Sequence, residues 1–195
     1  MKKVLILASV LALPLGAQAV SMPGMCARGI GPDETKVCAD PASSEVEGLL
    51  YALYKAALEK QQGDSSKQLQ ENQNKWWDGV KGCAGAEADP KKMSACINKA
   101  YAERALFLQK TYKVAEANGP VAFSCADGSK LQATFLKTTP ASMVLQSGER
   151  SMMLRGEQMA SGVQYGARDT VFKEHQGKTT IKWGVNAKEI SCKKS

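Results

Sequence analysis

One histidine in 195 residues, His175, sets the first limit on what this chain can do. Zinc sites draw on cysteine and histidine at paired spacings, and the sequence holds neither a C-x-x-C pair nor a second imidazole, so no metal and no cofactor are expected. No run of basic residues interleaved with aromatics offers a nucleic-acid surface. No G-x-S-x-G elbow precedes a helical stretch. Ser161, Asp169 and His175 do fall within fifteen residues, but a serine on a Ser-Gly turn has no prepared oxyanion hole, and the chain is not expected to be an enzyme. Past the first twenty residues no apolar run is long enough to span a bilayer, so no stable membrane anchor is expected.

What the N-terminus does hold is an export signal. Lys2 and Lys3 precede an apolar run from Val4 to Leu15, and Ala17-Gln18-Ala19 has the small-x-small form of a cleavage site. Residues 1–19 are therefore expected to be removed after about Ala19, leaving a soluble periplasmic product. No cysteine for lipid attachment directly follows the cut, since Cys26 lies seven residues on, beyond Pro23-Gly24. All six cysteines, Cys26, Cys38, Cys83, Cys96, Cys125 and Cys192, lie in the exported part, and an even count in an oxidising compartment implies three disulfides.

Composition divides what remains into two. Residues 20–118 carry thirteen Lys/Arg and thirteen Asp/Glu and are rich in helix formers, whereas residues 119–195 carry eleven and six, net +5, and are rich in strand formers. Asn118-Gly119-Pro120 marks the join. The expected fold class is α + β as two domains: a disulfide-stapled three-helix bundle over 20–118 and a small antiparallel β-barrel over 119–195.

In the first half, Asp40-Pro41 and Asp89-Pro90 have the form of helix starts, aspartate as N-cap and proline at the first helical position. After the first, Leu49, Leu50, Leu53, Tyr54, Ala57 and Leu58 make an apolar stripe; after the second, Met93, Ile97, Tyr101, Ala105, Leu108 and Tyr112 recur every three or four residues. A more polar helix over Ser65–Lys81 lies between them and carries Trp76 and Trp77, which with Tyr101 are expected to pack in the bundle core. Cys26, Val37-Cys38-Ala39-Asp40-Pro41, Leu50, Leu53-Tyr54, Ala57-Leu58, Gln73, Trp76, Cys83, Cys96, Tyr101 and Arg104 together resemble the LprI-like domain over about residues 25–115. Some members of that family inhibit lysozyme. The pairing among Cys26, Cys38, Cys83 and Cys96 stays open.

In the second half, strand candidates recur at short spacing: Val121–Cys125, Leu131–Lys137, Met143–Gln146, Ser151–Arg155, Thr170–Glu174, Thr179–Trp183 and Glu189–Cys192. Asp127-Gly128, Ser147-Gly148 and Gln176-Gly177 supply turns, which favours an up-and-down sheet closed as a barrel. Leu131, Ala133 and Phe135 alternate on one face, as do Met152 and Leu154, and are expected to form its core.

Between the fourth and sixth candidates, and including the fifth, lies Ser161 to Lys178. Ser161-Gly162 is expected to make an exposed loop that runs past Tyr165, and Gln176-Gly177 a hairpin tip flanked by His175 and Lys178. Ser161, Gly162, Tyr165, Val171 and Phe172 resemble, in register, the C-type lysozyme inhibitor family of the MliC/PliC type. That family has a lysine fourteen residues after the serine, where this chain has His175. The resemblance implies a β-barrel tied by a Cys125–Cys192 disulfide, with C-type lysozyme as partner and Ser161, Gly162, Tyr165 and a cation as binding residues. The chemistry is coherent, because lysozyme works with one protonated and one ionised carboxyl, and a hydroxyl with a cation set between them blocks both. The cation is expected from His175 or from Lys178 across the hairpin. Lys173 is placed behind them, because adjacent strand positions point to opposite faces. The basic barrel also supports another reading, a periplasmic module that binds an anionic envelope component.

Overall fold

The computed structural model describes residues 26, 31–86 and 89–195. The export signal, its cleavage site and Pro23-Gly24 lie outside the described residues. Four helices precede eight strands: α1 (Pro32–Ala39), α2 (Pro41–Glu59), α3 (Asp64–Ala86) and α4 (Pro90–Tyr112), then β1 (Ala117–Cys125), β2 (Lys130–Leu136), β3 (Ser142–Ser147), β4 (Arg150–Met159), β5 (Gly162–Ala167), β6 (Thr170–His175), β7 (Lys178–Trp183) and β8 (Ile190–Lys194).

The three long helices are those expected, α2 and α4 from their apolar stripes and α3 as the more polar helix between them, and α1 is an addition. Only Val37 of α1 is buried, so its eight residues are too few to show a stripe. Asp40 is the joint between α1 and α2: its N–H donates to the carbonyls of Lys36 and Val37, and its own carbonyl accepts from Ser43 and Ser44. Asp89 caps α4 through Oδ1, 2.9 Å from the Lys91 nitrogen. Disulfides join Cys26 to Cys38 and Cys83 to Cys96, at sequence separations of 12 and 13.

Trp77 and Tyr101 are buried in the helical core and Trp76 is half-buried against it. The indole of Trp77 donates to Glu34 at 2.9 Å and that of Trp76 to the Ala100 carbonyl at 3.2 Å. The Gly31 N–H and then the Trp77 N–H hold the Glu34 carboxyl below the usual carboxylate range. Beneath them runs a buried polar cluster. Tyr101 donates its hydroxyl to Glu47, and the Arg104 guanidinium gives Nε to Gln73 at 2.9 Å and Nη1 to Asn72 while lying over the rings of Trp76 and Phe107. Burial lowers the Arg104 pKa to about 10. The Gln73, Trp76, Tyr101 and Arg104 that carry the LprI-like resemblance are therefore one contiguous cluster. Among the described residues no helix is long and apolar enough to cross a membrane.

The eight strands pair in sequence order, each antiparallel to the next, and β8 returns to β1 to close the barrel. Cys125 and Cys192 are directly opposite on β1 and β8 and form the third disulfide. By loop entropy, a closure spanning 67 residues contributes about 4 kcal/mol. The boundary between the halves differs from the one predicted. α4 ends at Tyr112, Lys113 adopts the left-handed conformation that stops it, and β1 starts at Ala117. Asn118-Gly119-Pro120 is instead an irregularity inside β1, where register shifts between Asn118 and Val121. The glycine is required there: φ is +127° and a Cβ would come within 2.5 Å of the Ala133 carbonyl.

Phe123, Leu131, Ala133, Met143, Leu145, Leu154, Phe172 and Ile181 fill the barrel. Leu136, Val144 and Met153 point the other way and are buried in the same cluster as the helices. The middle of β3 and β4 is thus covered on both faces, which is why Met143-Val144-Leu145 and Met152-Met153-Leu154 are unbroken apolar runs. Met153→Ala, though on the barrel's outer face, is expected to cost about 2–5 kcal/mol, the range for truncating a buried methionine. Urea unfolding of the full exported chain measures this. A loss below about 0.5 kcal/mol, the size of an ordinary surface substitution, would show that the barrel does not depend on the helices.

Candidate functional site

The stretch around Ser161 is more ordered than a loop. β4 runs on to Met159, Ala160-Ser161 forms the turn, and Gly162 already begins β5, where it pairs with Met159. The expected loop through Tyr165 is therefore corrected to a tight turn followed by a strand. Along β5, Val163, Tyr165 and Ala167 alternate with Gly162, Gln164 and Gly166, which is strand periodicity hidden by two glycines of low strand propensity. Ser161 is exposed. Gly162 has φ of +121°, and a Cβ on it would lie 2.8 Å from the Glu174 carbonyl oxygen. Glycine is thus needed both for its conformation and for the close approach to β6.

Gln176 and Gly177 both have positive φ, as a two-residue turn matched to the twist of a hairpin demands, and this sets His175 opposite Lys178. The hairpin then reaches back to the Ser161 turn. His175 Nδ1 lies 2.7 Å from the Ser161 carbonyl oxygen, a contact in which the imidazole N–H donates. With Nδ1 so used, Nε2 is the ring position left to face a partner. An imidazole in this tautomer presents an acceptor when neutral and a donor when charged. Gln158 Nε2 donates to the Gly162 carbonyl at 3.2 Å and steadies the turn from its other side.

Ser161, Gly162, His175 and Lys178 are thus brought together at one end of the barrel. Tyr165 is not with them. Its ring faces inward, half-buried, 5.5 Å from Phe135 edge to face, and desolvation followed by the nearby Glu174 raises its pKa. Lys173 is better placed than expected. It stands two residues from His175, not one, so the alternation of β6 puts both on the outer face, with Lys173 between Gln164 and Thr180. Glu174 points inward and pairs with Lys194 at 2.9 Å, and among the described residues neither Lys173 nor Lys178 has an ion-pair partner. The site is consequently a cationic edge beside an exposed hydroxyl.

The serine, histidine and aspartate do not form a triad. His175 meets the backbone of Ser161, and Asp169 lies in the β5–β6 turn at the other end of the barrel, beside Arg168. Among the described residues no cluster of His, Cys, Asp and Glu is built to hold a metal. Two neighbours escaped sequence reasoning. Gln158 and Met159 continue β4 past the predicted end at Arg155, and Met159 is 49 % exposed beside the turn. An apolar residue two positions before Ser-Gly is a weak signal, since it fits a buried strand end equally well.

Residues 123–190, from within β1 to the first residue of β8, match the family model described as membrane-bound lysozyme-inhibitor of c-type lysozyme. The match is confined to the barrel and does not extend to the helices. A solved structure described as Pseudomonas aeruginosa MliC in complex with hen egg white lysozyme is similar at 18% identity, covering 42% of this chain and 86% of that one with a TM-score of 0.34. No curated protein matches.

Gly162→Ala is expected to destabilise the protein by roughly 1–3 kcal/mol, because the added carbon meets the Glu174 carbonyl and the backbone leaves its preferred region. Thermal unfolding of the variant checks this, and an unchanged midpoint would mean that the turn has room to relax.

Proposed function

We propose that this chain is an exported, non-enzymatic inhibitor of C-type lysozyme that seats the Ser161 turn and the His175–Lys178 edge in the catalytic cleft. The observation that carries the reading is the bond from His175 Nδ1 to the Ser161 carbonyl, which makes one rigid projection of two turns distant in sequence. The family match over residues 123–190 supports the choice of target. In this reading the Ser161 hydroxyl takes the place of a substrate hydroxyl between the two carboxyls, and Gly162 lets the turn lie close to β6. His175 Nε2 and the Lys178 ammonium face the ionised carboxylate, with Lys173 behind them. Tyr165 supports the turn from inside. A cation there also stabilises the ionised form of the general acid, which must hold a proton to work. The helical half, LprI-like in its motifs, holds the barrel from its β2–β4 face, and the product resides in the periplasm once residues 1–19 are removed.

Lysis of peptidoglycan by a C-type lysozyme, with the full exported chain added, tests the reading. Ser161→Trp places a bulk in the groove that an exposed turn tolerates and a catalytic cleft does not. Inhibition is expected to weaken by about 100-fold or more, roughly 2.7 kcal/mol of binding, with an unchanged thermal midpoint. Potency retained in that variant would remove the turn from the mechanism. Unchanged lysis with the wild-type chain, across several C-type lysozymes, would sink the assignment.

A histidine in the cationic position makes binding depend on pH. Beside carboxylates an imidazole holds its proton more tightly than when free, so the complex takes up a proton as it forms. Affinity is expected to strengthen as pH falls from about 8 towards 6 and to weaken again once the target's carboxylates protonate. Dissociation constants across this range for wild type, His175→Lys and Lys178→Ala measure it. A slope that survives His175→Lys would show that the imidazole plays no part.

A further inference from the structure

The end of the barrel opposite Ser161 carries the β3–β4, β5–β6 and β7–β8 turns, and there it stands apart from the start of α4 across a cleft of about 780 Å³. That volume lies in the range of small-molecule sites, ~300–1,000 Å³. Its walls are largely apolar: Met93 and Ala95 from α4, Met152 and Trp183 from the barrel, and Val185, 67 % exposed on the β7–β8 turn. An exposed valine at the lip of an apolar cleft gains nothing from water and has hydrocarbon to offer a ligand.

The charges around the cleft are not evenly matched. Asp169 lies 3.7 Å from Arg168, Glu149 pairs with Lys99 at 3.1 Å, and Asp40 accepts from the Ser94 hydroxyl while joining two helices. Arg150 is different. Its guanidinium lies 4.5 Å from the centre of the Trp183 ring, and among the described residues no carboxylate or carbonyl accepts from it. Stacking on an indole occupies the face of a guanidinium and leaves its edge donors free, in a fork that fits a carboxylate. Partial desolvation by the walls lowers the Arg150 pKa, a cost that an anion bound at its edge would offset. Lys91, on the rim, adds to the same field.

We infer that this cleft binds an anionic amphiphile, a single acyl chain with a carboxylate head, the head on the edge of Arg150 and the chain along Met93, Met152 and Val185. The site is independent of the lysozyme reading, since it lies at the other end of the barrel and shares no residue with the Ser161 turn.

Calorimetry with the full exported chain and laurate below its micelle concentration tests the inference, with dodecanol as the neutral-headed probe and acetate as the head without a chain. Saturable laurate binding is expected, with dodecanol at least about tenfold weaker and acetate without measurable binding. Arg150→Met keeps apolar contact with Trp183 and removes the charge; it is expected to weaken laurate by about tenfold and leave dodecanol unchanged. Ala95→Trp fills the cleft and should abolish both. Lysozyme inhibition should be unchanged in either variant, so failure of one reading leaves the other standing. The inference is overturned by absence of saturable laurate binding, by equal affinity for laurate and dodecanol, or by laurate binding that is indifferent to Arg150→Met.

Discussion

Leu136, Val144 and Met153 leave the barrel's outer face and enter the core of the helices, and this shared burial fixes where everything else can be. With β2, β3 and β4 covered, the strands that carry their cations outward are β6 and β7, on which Lys173, His175, Lys178 and Lys182 alternate with interior residues. The same contact brings the start of α4 beside one end of the barrel and forms the apolar cleft there. The cationic edge and the cleft are thus two consequences of one packing decision. Either half taken alone would expose apolar side chains that the other covers, so the halves are distinct in architecture but joined in energetics.

Local chemistry was legible in the sequence. The Gln176-Gly177 hairpin and the Asp-Pro helix starts each depend on a few residues with narrow conformational meaning, and each stands in the structure as expected, as does the Cys125–Cys192 pairing that the family resemblance implies. The stripes of α2 and α4 were equally plain because nineteen and twenty-three residues leave room for several turns of periodicity. α1, at eight residues with one buried side chain, had no such room. β5 was hidden by Gly162 and Gly166, whose low strand propensity outweighs the alternation of Val163, Tyr165 and Ala167.

Other features were out of reach for a different reason. The His175–Ser161 bond joins two turns whose separation is set by the register of β5 against β6, and a register cannot be read before the strand itself is recognised. The cleft draws its walls from α4, β4 and the β7–β8 turn, which no local pattern links. The continuous apolar runs in β3 and β4 fit burial on both faces, but a sequence does not say what does the burying.

Because β8 closes on β1, no strand of the barrel is left as a full free edge, which leaves little room for another strand to be recruited by edge pairing. Whatever the barrel recognises is then read by side chains, at the turns, on the strand faces or together with the helix beside it. That separates the inheritance of the scaffold from the inheritance of specificity. On the proposed reading, the ladder and its disulfide can persist while two residues at a turn, or one histidine in place of a lysine, change which partner is met and at what acidity. A lineage under pressure from a changing adversary would be expected to vary at those few positions and to leave the closed wall of strands alone.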